Sequence, residues 1–244
     1  MKEKKEIIST VEEKELNAPN GLAVGILSVL VYVAAAVGVI PAAMALDNGS
    51  TAFGAPLMVM CVLWLCVGWI PFMGVKVIRP NEALVLTLFG KYTGTLKKEG
   101  IFFVNPFSIA VNPASAQKIT SGKNPQEATA PVGKKLSLKA MTLDNKKQKI
   151  NDRDGNPIEI SIVVIWKIAN TAKAVFNVDN YEEYVSIQSD SALRDVAGAY
   201  PYDGDGENVK SLRGSSAEIA GHLRDMLQSR VDDAGIEVIE ARIT

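Results

Sequence analysis

The stretch GLAVGILSVLVYVAAAVGVIPAAMAL, residues 21–46, is followed after six residues by FGAPLMVMCVLWLCVGWIPFMGV, residues 53–75. Together these two runs decide how the chain is built. Neither contains a charged residue, and between Glu15 and Lys76 the one charge is Asp47. Water does not solvate a block of this kind, and the 169 residues that follow it are too few to bury it. A helix needs about 20 apolar residues to cross a hydrocarbon core of about 30 Å. Both runs are long enough, with length to spare for tilt. The expected order is a polar tail at 1–20, a transmembrane helix at 21–46, a short extracytoplasmic turn at 47–52 and a second transmembrane helix at 53–75. A folded part then begins at residue 76. Asp47-Asn48-Gly49-Ser50 has the composition of a tight turn. A cleaved signal peptide does not fit, because the first run is too long and a second follows it.

Orientation follows from Lys and Arg near the ends of the runs. Lys2, Lys4, Lys5 and Lys14 precede the first, Lys76 and Arg79 follow the second, and the turn between them has none. The positive-inside rule then places the N-terminus and the large C-terminal part in the cytoplasm. The expected location is the cell membrane, crossed twice.

Within the first run, small residues recur four apart at Gly21 and Gly25, then at Ala34, Gly38 and Ala42. That spacing lets a second helix approach closely, either the other span or another protomer. Ordinary Gly and Ala richness of apolar spans accounts for the spacing equally well. Pro41 is expected to bend the outer end of this helix.

The folded part, 76–244, is large enough for one sizeable domain or two small ones. Both cysteines, Cys61 and Cys66, lie in the second run, so the folded part has no disulfide framework and no thiolate metal site. The formal net charge is −1 and gives no global signal for nucleic acid.

Residues 83–89 alternate Leu84, Leu86 and Leu88 with Val85 and Thr87, and glycines at 90 and 100 separate further short runs at 92–96 and 101–104. Period-two alternation cut by glycines reads as short antiparallel strands. Residues 136–143 read as another strand. Asp152-Arg153-Asp154-Gly155-Asn156-Pro157 is a strong turn, and Ile158, Ile160, Ile162, Val164, Trp166 and Ile168 then occupy every second position. Their face is expected to be buried. After Ala169 the period changes. A short helix is expected at 171–178, and Asn180 can cap a longer one reaching about Ala199. Ser215 with Glu218 fits a capping box, opening a helix with Ile219, Leu223, Leu227 and Val231 at spacing four. Gly235 ends it, and residues 236–243 return to strand.

The ordered series Val77-Ile78-Arg79-Pro80-Asn81-Glu82-Ala83, Leu88-Phe89-Gly90-Lys91-Tyr92 and Gly100-Ile101-Phe102-Phe103-Val104-Asn105-Pro106-Phe107 resembles the start of the SPFH (band 7) domain of stomatins, prohibitins and flotillins. The likeness continues through the turn and strand at 152–168, Ala192-Leu193-Arg194-Asp195-Val196, Gly235-Ile236-Glu237-Val238 and Ala241-Arg242-Ile243. It covers 76–244. The resemblance implies an α+β domain with an antiparallel β-sheet half, here 76–169, and an α+β half, 170–244. It also implies an oligomeric membrane scaffold that organises or encloses a membrane patch or microdomain, with membrane lipids and copies of itself as partners. The alternative is a regulatory subunit bound to a membrane protease, channel or other client.

Two departures stand out. Residues 114–134 form a polar stretch rich in Ser, Thr, Pro and Gly, read as a mobile loop. Proteins that look like this also continue into a long coiled coil, and no heptad segment of that length occurs here. Either the chain is trimmed, or it assembles through its domain and spans alone.

Charge is uneven. Residues 118–153 hold nine Lys and Arg against Glu127, Asp144 and Asp152, a balance of +6, whereas 179–244 hold fourteen Asp and Glu against six Lys and Arg, or −8. Head-to-tail association, contact of the basic stretch with anionic lipid and a solvated face all fit. The one histidine, His222, has neither a nucleophile elbow nor an oxyanion loop nearby, so a surface pair with Glu218 or Asp225 is expected rather than catalysis. One histidine without a cysteine in the folded part does not make a zinc site. The 152–155 turn lacks the later ligands of a calcium loop. No phosphate loop appears, and the basic run lacks the interleaved aromatics of a nucleic-acid surface. We therefore expect no enzyme, no catalytic, cofactor or metal residues, and no nucleic-acid partner.

Overall fold

The computed structural model describes residues 12–114, 134–203 and 210–244. The loop expected at 114–134 and basic residues Lys118 and Lys123 lie outside the described residues, Ala114 and Lys134 apart. The chain divides into two compact units. One holds Glu15–Pro80 and Leu86–Ala110, and the other holds Asn81–Val85 and Val111–Thr244 with residues 12–14 of the tail.

In the first unit α1 runs Gly21–Asp47 and takes its start from Asn20, whose side chain accepts the Leu22 N–H at 3.0 Å. Pro41 sits inside this helix without ending it. The second apolar run is not one helix. It forms α2, Thr51–Val67, then a turn at Gly68 and Trp69, then the single-turn α3, Ile70–Met73. Pro71 has no N–H to give the preceding turn and sits instead in the first turn of α3, where none is needed. The Trp69 indole N–H donates to the Cys66 carbonyl at 2.8 Å, occupying an acceptor near the end of α2. The run also ends early, because strand β1 already begins at its last residue, Val75–Ile78.

β1 pairs antiparallel with β4, Gly100–Phe103, in the register Val75↔Phe103 to Ile78↔Gly100. β2, Glu82–Leu88, lies between β3, Lys91–Leu96, and β5, Ile109–Ala110. Every residue from Ala83 to Thr87 is buried, so both faces of β2 are covered. The polar alternate, Thr87, meets this by donating its hydroxyl to the Ile109 carbonyl at 3.3 Å. Phe89 and Gly90, with φ of 49° and 81°, turn the chain from β2 into β3.

In the second unit the run at 136–143 is two strands. β6, Leu136–Ser137, pairs with the start of β2, and β7, Met141–Asp144, pairs with β10. β8, Gln148–Asn151, and β9, Pro157–Ile160, form a hairpin. The long alternating run at 158–168 breaks at Ser161, which leaves the hairpin and exchanges backbone hydrogen bonds with Thr244 at 2.8 and 2.9 Å. β10, Ile162–Ile168, then pairs with β7 on one side and β11, Ile236–Ile243, on the other. Its even residues are buried as the alternation predicts.

Helices α4, Thr171–Phe176, α5, Tyr181–Ala199, and α6, Ser216–Val231, complete the unit. Asn180 caps α5, accepting the N–H groups of Glu182 and Glu183. The edge of the Tyr181 ring meets Trp166 of β10 with centroids 6.1 Å apart. Ile219, Leu223, Leu227 and Val231 of α6 are all 1% exposed or less. Trp166 and Val238 are paired across the ladder, so α5 and α6 cover the same face of the β11-β10-β7 sheet. Gly235 closes the turn after α6 at φ 66°, where a Cβ would lie 2.4 Å from the Asn170 carbonyl oxygen. Only glycine fits there.

Candidate functional site

The outside of the α1–α2 pair is a broad apolar surface. Leu27, Leu30, Ile40 and Met44 on α1, and Phe53, Met60 and Leu63 on α2, are each more than half exposed. α1 and the stretch Thr51–Met73 are both long and apolar enough to cross a membrane. Within the same unit Phe89 is 88% exposed, and Phe107 and Ile109 are also exposed, around the β2–β5 end of the sheet.

The small residues of α1 divide by what they meet. A Cβ on Gly38 would lie 3.0 Å from Cys61 Sγ. Ala42 is fully buried, and a Cβ on Gly54 of α2 would come 3.1 Å from its carbonyl oxygen. Tyr32 spans the pair, donating to the Leu65 carbonyl at 3.3 Å. Gly21 serves a different contact, against the Phe102 backbone, and Gly25 has nothing within 4 Å of an added Cβ. Gly38 and Ala42 therefore face α2, whereas Ala34 is exposed and the 21–25 spacing does not join the two helices.

The Asp152 turn is built around its carboxylate. Oδ1 accepts the Asp154 and Asn156 N–H groups at 3.0 and 2.7 Å, while Oδ2 accepts the Asn156 side chain at 3.2 Å and the Tyr202 N–H at 3.1 Å. Desolvation pushes this carboxyl up, but the donors of Tyr202, Asn156 and Asp154 together outweigh it and hold the group below its ordinary value of 3.8. The turn thus closes on its own backbone. Among the described residues no group of three or more His, Cys, Asp or Glu is arranged to hold a metal.

His222 does not pair with Glu218 or Asp225. Its Nδ1 faces the Tyr200 hydroxyl at 3.4 Å, Asp225 pairs with Arg224, and Glu218 pairs with Lys210. That last pair also explains why the capping box fails. Ser215 makes no side-chain cap bond, and the Glu218 carboxylate is turned outward to Lys210, whose ammonium it raises above its ordinary pKa first by the hydrogen bond and then by its charge. At Tyr181, burial and then the nearby Glu182 charge push the phenol up to about 12, against a hydrogen bond with Asn112.

The two charged stretches differ in how far they neutralise themselves. In the acidic one, Asp195 pairs with Arg230, Asp203 with Arg213, Glu237 with Lys167 and Glu240 with Arg242. In the basic one, Lys135 pairs with Glu82 and Lys149 with Glu159, while Lys139, Lys146 and Lys147 stand exposed around β7.

Two residues that periodicity passes over tie elements together. Glu13 of the tail accepts the Thr171 N–H at 3.2 Å and its hydroxyl at 2.5 Å, at the first turn of α4. Gln228 of α6 donates to the Ile236 carbonyl at 2.9 Å and accepts the Val238 N–H at 2.7 Å, on the edge of β11 away from β10. A polar residue on a helix carries no local sign of such a partner.

Residues 76–244 match the SPFH domain / Band 7 family. The chain is 21% identical to stomatin of Mus musculus over 182 residues, 74% of this chain and 51% of that protein. It is 23% identical over 187 residues to an uncharacterized protein of Methanothermobacter thermautotrophicus, 77% of this chain and 49% of that one. The chain therefore spans about half the length of the curated relatives it matches.

Proposed function

The chain belongs to the SPFH domain / Band 7 family, and from that membership we propose that it works as an oligomeric integral-membrane scaffold that organises or encloses a patch of bilayer. One observation carries this reading. Helix α1 and the adjacent apolar stretch Thr51–Met73, each long and apolar enough to span a bilayer, lead straight into β1, at the start of the family domain. The apolar pair anchors the domain, and lipids are its first partners. Lys76 and Arg79 follow the second span, and the Asp47–Ser50 turn carries no basic residue, so both termini of the pair lie in the cytoplasm. The exposed Phe89 and Phe107 suit contact with the headgroup region, where aromatic rings are favoured.

The test is the mass of the detergent-extracted protein by light scattering, with the detergent contribution subtracted, at low and high salt. The scaffold reading expects a discrete multimer of the 26.2 kDa chain. A single chain at every salt concentration would sink it.

A further inference from the structure

The β11-β10-β7 sheet has two open edges among the described residues. Ser161 and Thr244 exchange both backbone bonds, so by the antiparallel alternation Val163–Arg242 and Ile165–Glu240 also face each other through hydrogen bonds. Ala241 and Ile243 consequently direct their N–H and C=O groups away from β10. On the far side, Asn145 donates to the Ile162 carbonyl at 3.2 Å, which makes Val164–Leu143 a bonded pair and turns Thr142 and Asp144 outward. Unpaired edges of this kind are templates for another strand.

Gln228 covers the β11 edge only at Ile236 and Val238. Beyond the bulge at Ile239 the edge borders a groove of about 690 Å³, whose other wall is the first half of α6, with Ala217, Ala220 and Gly221 keeping it open. A Cβ on Gly221 would meet nothing within 4 Å.

We infer that this groove receives β7 of a second copy, so that the sheet runs on from one protomer to the next. The inference rests on the scaffold reading above and names its contact. Three observations select this occupant. β7 is the complementary open edge of the same sheet, and α5 is tied to its end through Asn145 as α6 is tied to β11 through Gln228, so a neighbour's α5 falls in line with α6. β7 and β11 both run antiparallel to β10, so a neighbour related by a modest rotation offers its β7 parallel to β11. In that direction Lys139, ahead of β7, comes to the exposed Asp232 and Asp233 and to Glu237, which within the chain pairs with Lys167. Lys146 and Lys147, after it, come to Glu218, which within the chain already pairs with Lys210, and Asp144, on the face away from α6, comes to Arg242. The contact uses different surfaces on the two copies, and so closes into a ring or continues as a filament.

The experiment uses two full-length variants in detergent. Thr142→Pro removes an outward N–H from β7 without touching its bonds to β10. Gly221→Trp fills the groove beside β11 from an exposed helical position. Each alone is expected to lose the large multimer while keeping the wild-type melting profile, and Thr142→Val, which retains the N–H, is expected to keep it. An equal mixture of the two variants is expected to form dimers, because each still carries the edge the other lacks. Wild-type-sized multimers in both variants, or variants that fail to pair when mixed, would overturn the strand joint and leave the scaffold reading standing. A wild-type protein that is a single chain would overturn both.

Discussion

Gln228 and Val238 are ten residues apart, and the helix side chain accepts the strand N–H at 2.7 Å while donating to the Ile236 carbonyl at 2.9 Å. One amide thus fastens α6 to the outer edge of β11. Replacing it with Leu keeps the volume and leaves both backbone groups without this partner. At about 1 kcal/mol per hydrogen bond, Gln228→Leu is expected to destabilise the domain by about 2 kcal/mol. Denaturant unfolding followed by circular dichroism reads this directly. A variant as stable as wild type would show that water replaces the amide at no cost.

The two helix starts make opposite predictions. Asn180 accepts two N–H groups at the start of α5, so Asn180→Ala is expected to cost about 1 kcal/mol. Ser215 has the better sequence signature but makes no cap bond. Ser215→Ala is expected to stay within about 0.5 kcal/mol of wild type. The same melt on both variants decides, and equal losses would contradict the difference between the two termini.

In the helical pair, a Cβ on Gly38 would stand 3.0 Å from Cys61 Sγ. Gly38→Cys is therefore expected to form an intramolecular disulfide with Cys61 under mild oxidation, found by peptide mass mapping and abolished by Cys61→Ser. Gly25→Cys has no such neighbour and should stay unlinked within the chain. Absence of the Gly38–Cys61 bond would mean that α1 and α2 pack on other faces.

The Asp152 carboxyl is held below 3.8 by its donors. A depressed folded value contributes stability that is fully present above the unfolded value and disappears as pH falls through the folded one. Asp152→Ala is accordingly expected to melt below wild type at neutral pH, by more than Asp154→Ala does. The difference from wild type should shrink below about pH 3.8, where the folded wild-type carboxyl itself titrates. A difference that is constant from pH 7 to pH 2 would show that the ionised form is not what the turn requires.

The proposed topology places the turn at 47–52 outside. Ser50→Cys, in a Cys61→Ser, Cys66→Ser background, is expected to react in intact cells with a maleimide that does not cross membranes. Lys146→Cys in that background should react only after lysis. The reverse pattern would invert the orientation.

Much of the architecture was legible before the structure. The uncharged runs announce two apolar helices, Asn180 announces α5, the spacing of Ile219, Leu223, Leu227 and Val231 announces α6, and β11 spans the residues expected of it. These features are local: a repeat of 3.6 or 2, or a cap within three residues of its helix, is written in neighbouring positions. What the local pattern does not carry is who the partner is. Residues 158–168 alternate without interruption, yet the strand changes sheets at Ser161 because Thr244 takes over its backbone. Ser215 and Glu218 have the right spacing for a box, yet Lys210 claims the carboxylate. The alternation at 83–87 announces a strand, but that both of its faces are covered is seen only in the packed structure.

The sequence by itself therefore determined the two apolar helical runs, most of the order of strands and helices and the family of the folded part. Those depend on composition and short-range spacing. Only the tertiary structure decided which small residues join α1 to α2, where Gln228 stops protecting β11 and which edges of the sheet stay open. Each of these is a meeting of backbone groups far apart in the chain, and no periodicity connects them.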